Sequence, residues 1–352
     1  MQEVPTARWT VTQPWRGLFG ILISVGIAIG ITVAFDLDSY LGLFTLWAIS
    51  VVPIEVVMGL GWGGKYPPVD KLDQPWRGIA LTAFMFFIAS ISTWWVVKFV
   101  GGGTANVVTN VYIICVVLTT MFHVIAFGCW PFGKMSLPAK GFLTLIVDYL
   151  IMLAGFRLWD FSGFAGANPE LAGICPTGPV YWESALAFYF IMFVFLWVFV
   201  ALDMWPFTKS EKLTAQPLMG FLIFVICFVL AYISYIIGVS SMGIKPIKLM
   251  LDFLLFIAGI LTVVPMLQTW PGRRFAQPAK GFVNMIVALV FAFAFFYFYQ
   301  MIGTIHFGPE AMATYPANCM IIANLCLALM FPAYVMHSTF LDFWPLPPTP
   351  ES

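Results

Sequence analysis

The sequence predicts an all-α integral membrane protein with ten transmembrane helices, arranged as five tandem two-helix hairpin repeats of the same orientation. Two observations predict it: the composition, and a motif that recurs between apolar runs. The 352 residues are 61% hydrophobic and 9% charged, whereas soluble domains carry about 25% charged residues. A soluble core cannot bury so much apolar surface, so lipid must be the solvent for much of the chain.

Ten apolar runs are long enough to cross a bilayer as helices, which takes about 20 residues. The runs are continuous and do not alternate as the strands of a membrane barrel do. The predicted spans are Gly17–Phe35, Leu41–Leu60, Gly78–Val100, Val107–Phe127, Gly141–Leu158, Ser184–Leu202, Gly220–Val239, Ile247–Leu267, Gly281–Ile302 and Cys319–His337.

A motif of Trp, a basic linker and Pro-x-x-Gly separates the hairpins. Trp suits the membrane interface and Pro suits the first helical turn, so the motif indicates interfacial structure. The predicted repeats cover about 13–62, 74–130, 137–205, 216–270 and 277–344 of one transmembrane domain, 1–352, with a long outer loop at about 160–182. Five such units predict either a ring of hairpins or a bundle with one added pair.

Charge predicts the orientation and excludes one class of partner. Of the 16 Lys and Arg residues, twelve lie on the side that holds the linkers and both termini. The positive-inside rule then makes both termini cytoplasmic, which fits a bacterial inner membrane, with the first span as an uncleaved signal anchor. The net charge of zero gives nucleic-acid binding no electrostatic support.

Ionisable residues within spans are the candidate functional residues, because charge is costly in hydrocarbon. Glu55, His123 and His337 each lie seven residues before a Trp of the motif, about two helical turns deeper than that Trp. Asp148 lies seven residues after Gly141 and enters from the same side. These four residues predict one polar layer, and Asp252 is predicted nearer the outer face, on the outer half of the same path.

The polar layer is compatible with more than one function. His and carboxylates exchange protons near neutral pH, which favours a transporter or channel for a small solute or ion, with proton coupling through the layer. Glu55, His123 and His337 also match a two-His, one-carboxylate site for a transition metal. A subunit of an enzyme or redox complex that binds a metal or quinone there, and a structural scaffold for partner subunits, remain open alternatives.

The remaining motifs favour no enzyme and imply no firm cofactor. The chain has no hydrolase elbow, H-E-x-x-H helix or Walker loop. Its six cysteines show no C-x-x-C spacing, which argues against an iron–sulfur or structural zinc site. Cys175 and Cys319 fall near the outer side and are a candidate disulfide. The expected partners are the bilayer and a small solute or ion, with homo-oligomer or membrane-complex partners open.

Overall fold

The computed structural model describes residues 12–347, and this part of the chain is predominantly helical. Ten of its helices are long and apolar enough to cross a membrane, which confirms the prediction of an all-α polytopic membrane protein. Labelled α1 to α10 in chain order, they are Trp15–Thr32, Leu37–Gly61, Trp76–Phe99, Val107–Ala126, Leu137–Leu158, Trp182–Ala201, Leu218–Ser241, Pro246–Met266, Ala279–Phe307 and Ala317–Phe340.

The segment between α5 and α6 carries the only strand pair in the described residues. Strands β1 (Trp159–Asp160) and β2 (Val180–Tyr181) pair in parallel, with Trp159 opposite Val180. A short helix, Ser162–Ala167, lies between them. Shorter helices at Glu211–Thr214 and Pro309–Ala313 precede α7 and α10.

Burial separates the ten helices into an inner and an outer set. The even-numbered spans are 56–89% buried, and the odd-numbered spans are 22–39% buried. The inner helices contact one another in the closed cycle α2–α4–α6–α8–α10–α2. Each outer helix packs across two inner ones: α1 on α8 and α10, α3 on α10 and α2, α5 on α2 and α4, α7 on α4 and α6, and α9 on α6 and α8. The fold therefore has an axis lined by the five inner helices.

The inner helices α2, α4, α8 and α10 end in one backbone pattern. The first residue after each helix donates its N–H to the carbonyl five residues back, and two residues with left-handed φ follow one after the other. The residues that leave the helices are Trp62, Phe127, Leu267 and Leu341. The left-handed pairs are Gly63–Gly64, Gly128–Cys129, Gln268–Thr269 and Asp342–Phe343.

The glycine of each Pro-x-x-Gly motif packs an outer helix against the end of an inner helix. A Cβ on any of these five glycines would overlap the neighbouring side chain. The pairs are Gly17 with Leu267, Gly78 with Leu341, Gly141 with Trp62, Gly220 with Phe127 and Gly281 with Leu202. Each outer helix thus approaches the end of the inner helix three spans before it in the chain, as α5 approaches α2. For α1 and α3 the count continues back from α10, which gives α8 and α10.

A glutamine before the motif's Pro adds a polar contact at four of these five junctions. Its side-chain N–H donates to the carbonyl of the last residue of the inner helix, one of the groups that a helix end leaves without a partner. The four hydrogen bonds run from Gln13 to Met266 (3.2 Å), Gln74 to Phe340 (2.7 Å), Gln216 to Ala126 (2.8 Å) and Gln277 to Ala201 (3.4 Å). Leu137 takes the glutamine's place at the fifth junction.

This packing predicts opposite effects for two glycines of α5. Gly141→Ala is expected to lower the free energy of unfolding by about 1–3 kcal/mol, because the new methyl overlaps the buried indole of Trp62. Gly155→Ala is expected to be neutral or stabilising, because no atom lies within 4 Å of its new Cβ and Ala favours helix. Thermal unfolding of both variants in detergent, followed by circular dichroism, checks this. Equal melting temperatures would contradict the packing.

Candidate functional site

The largest cavity on the axis, which we term the axial vestibule, has a volume of about 350 Å³. All five inner helices contribute to its wall. Representative lining residues are Glu55 and Gly59 of α2, Ile125 of α4, Trp197 of α6, Val264 of α8 and Val335 of α10. Leu60, Asp203 and Thr339 also line it and are exposed, so the vestibule opens at the end of the bundle that carries the motif tryptophans, the Trp-Pro end.

Glu55 lies in the vestibule wall with neither carboxylate oxygen hydrogen-bonded to any described residue. Its side chain is 0% exposed. An ionised carboxylate buried without a partner is costly, so the site requires a bound proton or cation. Trp197 lines the same cavity, and its indole N–H is also buried without a partner in the described chain. The vestibule thus presents one free acceptor group and one free donor.

A second, much smaller cavity lies on the axis towards the opposite end. Its volume of about 30 Å³ holds about one or two water molecules. It is also lined by all five inner helices, through residues such as Ile49, Leu118, Phe190, Leu254 and Asn324. Its lining is apolar except for Asn324, whose side-chain N–H donates to Thr45 Oγ1 at 3.2 Å. The axis is therefore open up to Glu55 and narrow beyond it.

Asp203 stands at the mouth of the vestibule in an ion pair. One of its carboxylate oxygens lies 2.7 Å from Lys280 Nζ and accepts a hydrogen bond from Gln277 at 2.9 Å. Partial burial opposes ionisation of this carboxyl, but the hydrogen bonds and the charge of Lys280 hold the pKa of Asp203 below its usual 3.8. The mouth keeps a carboxylate at all pH values near neutral.

The lowered pKa of Asp203 predicts a pH-dependent contribution to stability. The ion pair stabilises the fold above the unfolded-state pKa, and this contribution is lost as pH falls through the lower, folded-state pKa. Because the pair is partly exposed, Asp203→Asn is expected to cost at most about 1 kcal/mol at pH 7. The difference in melting temperature between wild type and Asp203→Asn should shrink towards zero at pH 3. A difference that is the same at both pH values would contradict this role.

His123 and Asp148 form a hydrogen-bonded pair outside the inner ring. The distance from His123 Nδ1 to Asp148 Oδ1 is 2.6 Å, and His123 Nε2 lies 2.8 Å from the carbonyl oxygen of Trp130. A carbonyl oxygen only accepts hydrogen bonds, so Nε2 carries a proton. One further proton then lies between Nδ1 and Asp148, and the pair is neutral as a unit. The sequence predicted a similar depth for these two residues, and the structure places them in direct contact.

His337 and Glu55 lie apart from this pair. His337 Nδ1 lies 3.3 Å from the carbonyl oxygen of Gly20 and 3.4 Å from Ser24 Oγ, against α1. Glu55, His337 and the His123–Asp148 pair line three different cavities. The predicted four-residue layer is thus divided, in this geometry, between the axis and two outward-facing sites.

The common pattern at the inner helix ends also gives a different register for Glu55. Trp62 is the structural counterpart of Phe127 and not of Trp130, because the left-handed pair follows Trp62 directly. Counted from there, Met58 is the counterpart of His123. Glu55 lies three residues before Met58 in α2, about 4.5 Å deeper in the bundle. This offset takes Glu55 out of the His layer.

Three other predicted features are not formed by the described residues. Asp252 pairs with Lys248 on the same helix, is 43% exposed and lines neither axial cavity. No group of three or more His, Cys, Asp or Glu residues within 12–347 is placed to hold a metal ion, because Glu55, His123 and His337 face different cavities. All six cysteines are free and buried, including Cys175 and Cys319.

Four residues near these sites were not singled out by the sequence. Trp197, Asp203 and Asn324 line the axial cavities, and Ser24 contacts His337. Ser24 had a usable signal, since it lies seven residues after Gly17 as Asp148 lies seven after Gly141.

Comparison of the chain with protein-family models, curated proteins and solved structures found no match. Function is therefore inferred from the geometry of the sites.

Proposed function

We propose that this protein is a membrane transporter or channel that moves a proton or small cation along the axis of its inner helices. Glu55 is the carboxylate that binds the ion on its way. The observation that carries the proposal is a vestibule, walled by all five inner helices, with an unpaired, fully buried carboxylate in its wall. Intramembrane carboxylates of this kind mark ion and proton pathways.

The vestibule favours a cation over an anion or a bulky solute. Its charged lining residues are two carboxylates, Glu55 and Asp203, and its wall within the described chain includes no Lys or Arg. Because Lys280 compensates the charge of Asp203 at the mouth, the preference for a cation rests on Glu55. The volume of about 350 Å³ lies at the low end of ligand pockets, which suits a small, partly hydrated ion.

The proposal includes five tandem hairpin repeats of one orientation, forming a pseudo-fivefold ring. The five equivalent glycine contacts and the shared helix ends support this arrangement. It also places both termini and the Trp-Pro end in the cytoplasm of a bacterial cell, since most Lys and Arg residues lie there. The vestibule then faces the cytoplasm, and the narrow axial segment near Asn324 closes the path towards the outside.

Flux through proteoliposomes tests the proposal. A potassium gradient with valinomycin sets an inside-negative potential, and a trapped pH dye reports proton entry. Parallel liposomes with radioactive sodium report cation entry. We expect one of the two fluxes to scale with the amount of protein. Liposomes that remain as tight as protein-free controls to both ions, with folded protein inserted, would contradict it.

A further inference from the structure

The outside of the inner ring carries a groove that is larger than the axial vestibule. It has a volume of about 940 Å³ and lies between α5 and α7, over the outer faces of α4 and α6. Its wall runs from Trp130 at the Trp-Pro end to Trp159 at the opposite end. Exposed residues such as Ile151, Phe221 and Tyr232 form its rim. We term it the lateral groove; it opens sideways, where lipid lies.

The lateral groove differs from an ordinary gap between helices because it contains polar groups. His123 and Asp148 both line it. Asp148 is 0% exposed, and its Oδ2 has no hydrogen-bond partner among residues 12–347. The proton of the pair lies between Nδ1 and Oδ1, so Oδ2 is a free acceptor. A buried acceptor without a partner is costly, and a donor on a ligand that reaches it from the groove would satisfy it.

Tyr189 provides a second acceptor in the lateral groove. Its hydroxyl lies 2.8 Å from Thr119 Oγ1, and Thr119 donates its own proton to the carbonyl of Cys115 at 2.8 Å. Tyr189 must therefore donate to Thr119, which leaves lone pairs of the Tyr189 oxygen free to accept. Asp148 Oδ2 and the Tyr189 hydroxyl thus both accept hydrogen bonds, which favours a ligand whose head donates them at this level of the groove.

The rest of the lateral groove fits an aromatic head with a long apolar tail. Phe122, Phe188, Phe224 and Phe228 line it with Tyr189, and aromatic faces stack on a planar ring. A length that spans the helices matches an extended hydrocarbon tail. We propose that the lateral groove binds one quinol, whose phenolic hydroxyl donates to Asp148 Oδ2. This site is separate from the axial path and does not depend on it.

A related groove elsewhere in the molecule is a built-in control. It has a volume of about 460 Å³, lies between α1 and α3 over α10, and contains His337. Ser24 takes the place of Asp148 there, at the same distance in sequence from its motif glycine. This groove has the histidine but no carboxylate acceptor. Substitution of Ser24 therefore tests whether any polar change near a histidine weakens ligand binding.

Saturable binding of a short-tailed quinol, decylubiquinol, to purified protein in nanodiscs tests the inference. We expect Asp148→Leu, which removes the acceptor, to weaken binding at least about tenfold, since the quinol hydroxyl is then buried without a partner. Ser24→Ala should change the affinity less than about twofold. The dimethyl ether of the same quinol, which has no hydroxyl donor, should bind wild type about as weakly as the quinol binds Asp148→Leu. Native circular dichroism and melting temperature confirm folding.

Three results would overturn the inference. The first is no saturable binding to wild type, which means that bulk phospholipid fills the groove. The second is equal affinity for the quinol and its dimethyl ether. The third is unchanged affinity in Asp148→Leu; if that variant fails to fold, Tyr189→Phe, which retains the ring and should weaken binding less, takes its place with the ether comparison. Ion flux is not measured here, so failure leaves the axial proposal standing.

Discussion

Glu55→Gln is expected to reduce proton or cation flux by about 100-fold or more. Gln has the shape of Glu but neither binds a cation by charge nor releases a proton. Positioned acid–base groups typically contribute 10²–10⁴-fold to proton transfer, and the lower end of that range sets the expectation. Glu55 has no hydrogen bond to another described residue, so the substitution breaks no internal contact and the fold should persist.

The matched control for Glu55→Gln is Asp252→Asn. Asp252 is also a carboxylate within a span, but it is paired with Lys248 and lines neither axial cavity. Its neutralisation should leave flux within about twofold of wild type, because Asp252 lies off the axial path. The fold should also persist, since a partly exposed ion pair contributes little to stability. Equal losses in both variants would mean that flux depends on membrane charge in general and not on the axial carboxylate.

Gly59→Phe is expected to block the path by filling the vestibule. Gly59 lines the cavity, and a Cβ there meets only Val335 Cγ1, at the ordinary contact distance of 3.6 Å. The phenyl ring therefore has room to enter the vestibule without displacing backbone. Flux should fall at least about tenfold, while helix packing is retained, since the added side chain occupies a cavity and does not overpack the core.

Gly30→Phe is the control for Gly59→Phe. Gly30 lies in the outer helix α1, and no atom lies within 4 Å of an added Cβ. The same large side chain placed there points into lipid and should leave flux unchanged. A similar loss in both variants would attribute the effect to hydrophobic bulk in the membrane. A Gly59→Phe variant with normal flux and normal melting temperature would exclude the vestibule from the path.

The helices were predictable because the bilayer sets their length and composition. The predicted span Val107–Phe127, for example, differs from the observed Val107–Ala126 by one residue. The inner and outer positions were less accessible, since both sets of helices are apolar and differ mainly in burial. Only the glycine and glutamine contacts reveal which helix lies beside which, and these contacts join residues far apart in sequence.

For the candidate site, counting residues along a helix predicts depth but not direction around the helix. Counting residues predicted one level for His123 and Asp148, and their contact follows from the packing of α5 on α4. The same counting placed Glu55 at that level because it used Trp62 as a fixed mark. Trp62 is the first residue after its helix, whereas Trp130, Trp270 and Trp344 each come three residues later than that position. Only the backbone hydrogen bonds reveal this difference.

Side-specific thiol labelling of Gly59→Cys tests the axial path most directly. The native cysteines are buried, so a charged, membrane-impermeant methanethiosulfonate reagent should react mainly with the new thiol in oriented proteoliposomes. We expect reaction, and loss of most of the flux, when the reagent is on the Trp-Pro side, and neither when it is on the opposite side. Labelling from both sides, or complete labelling with flux unchanged, would contradict an axial path that opens at the Trp-Pro end and leads to Glu55.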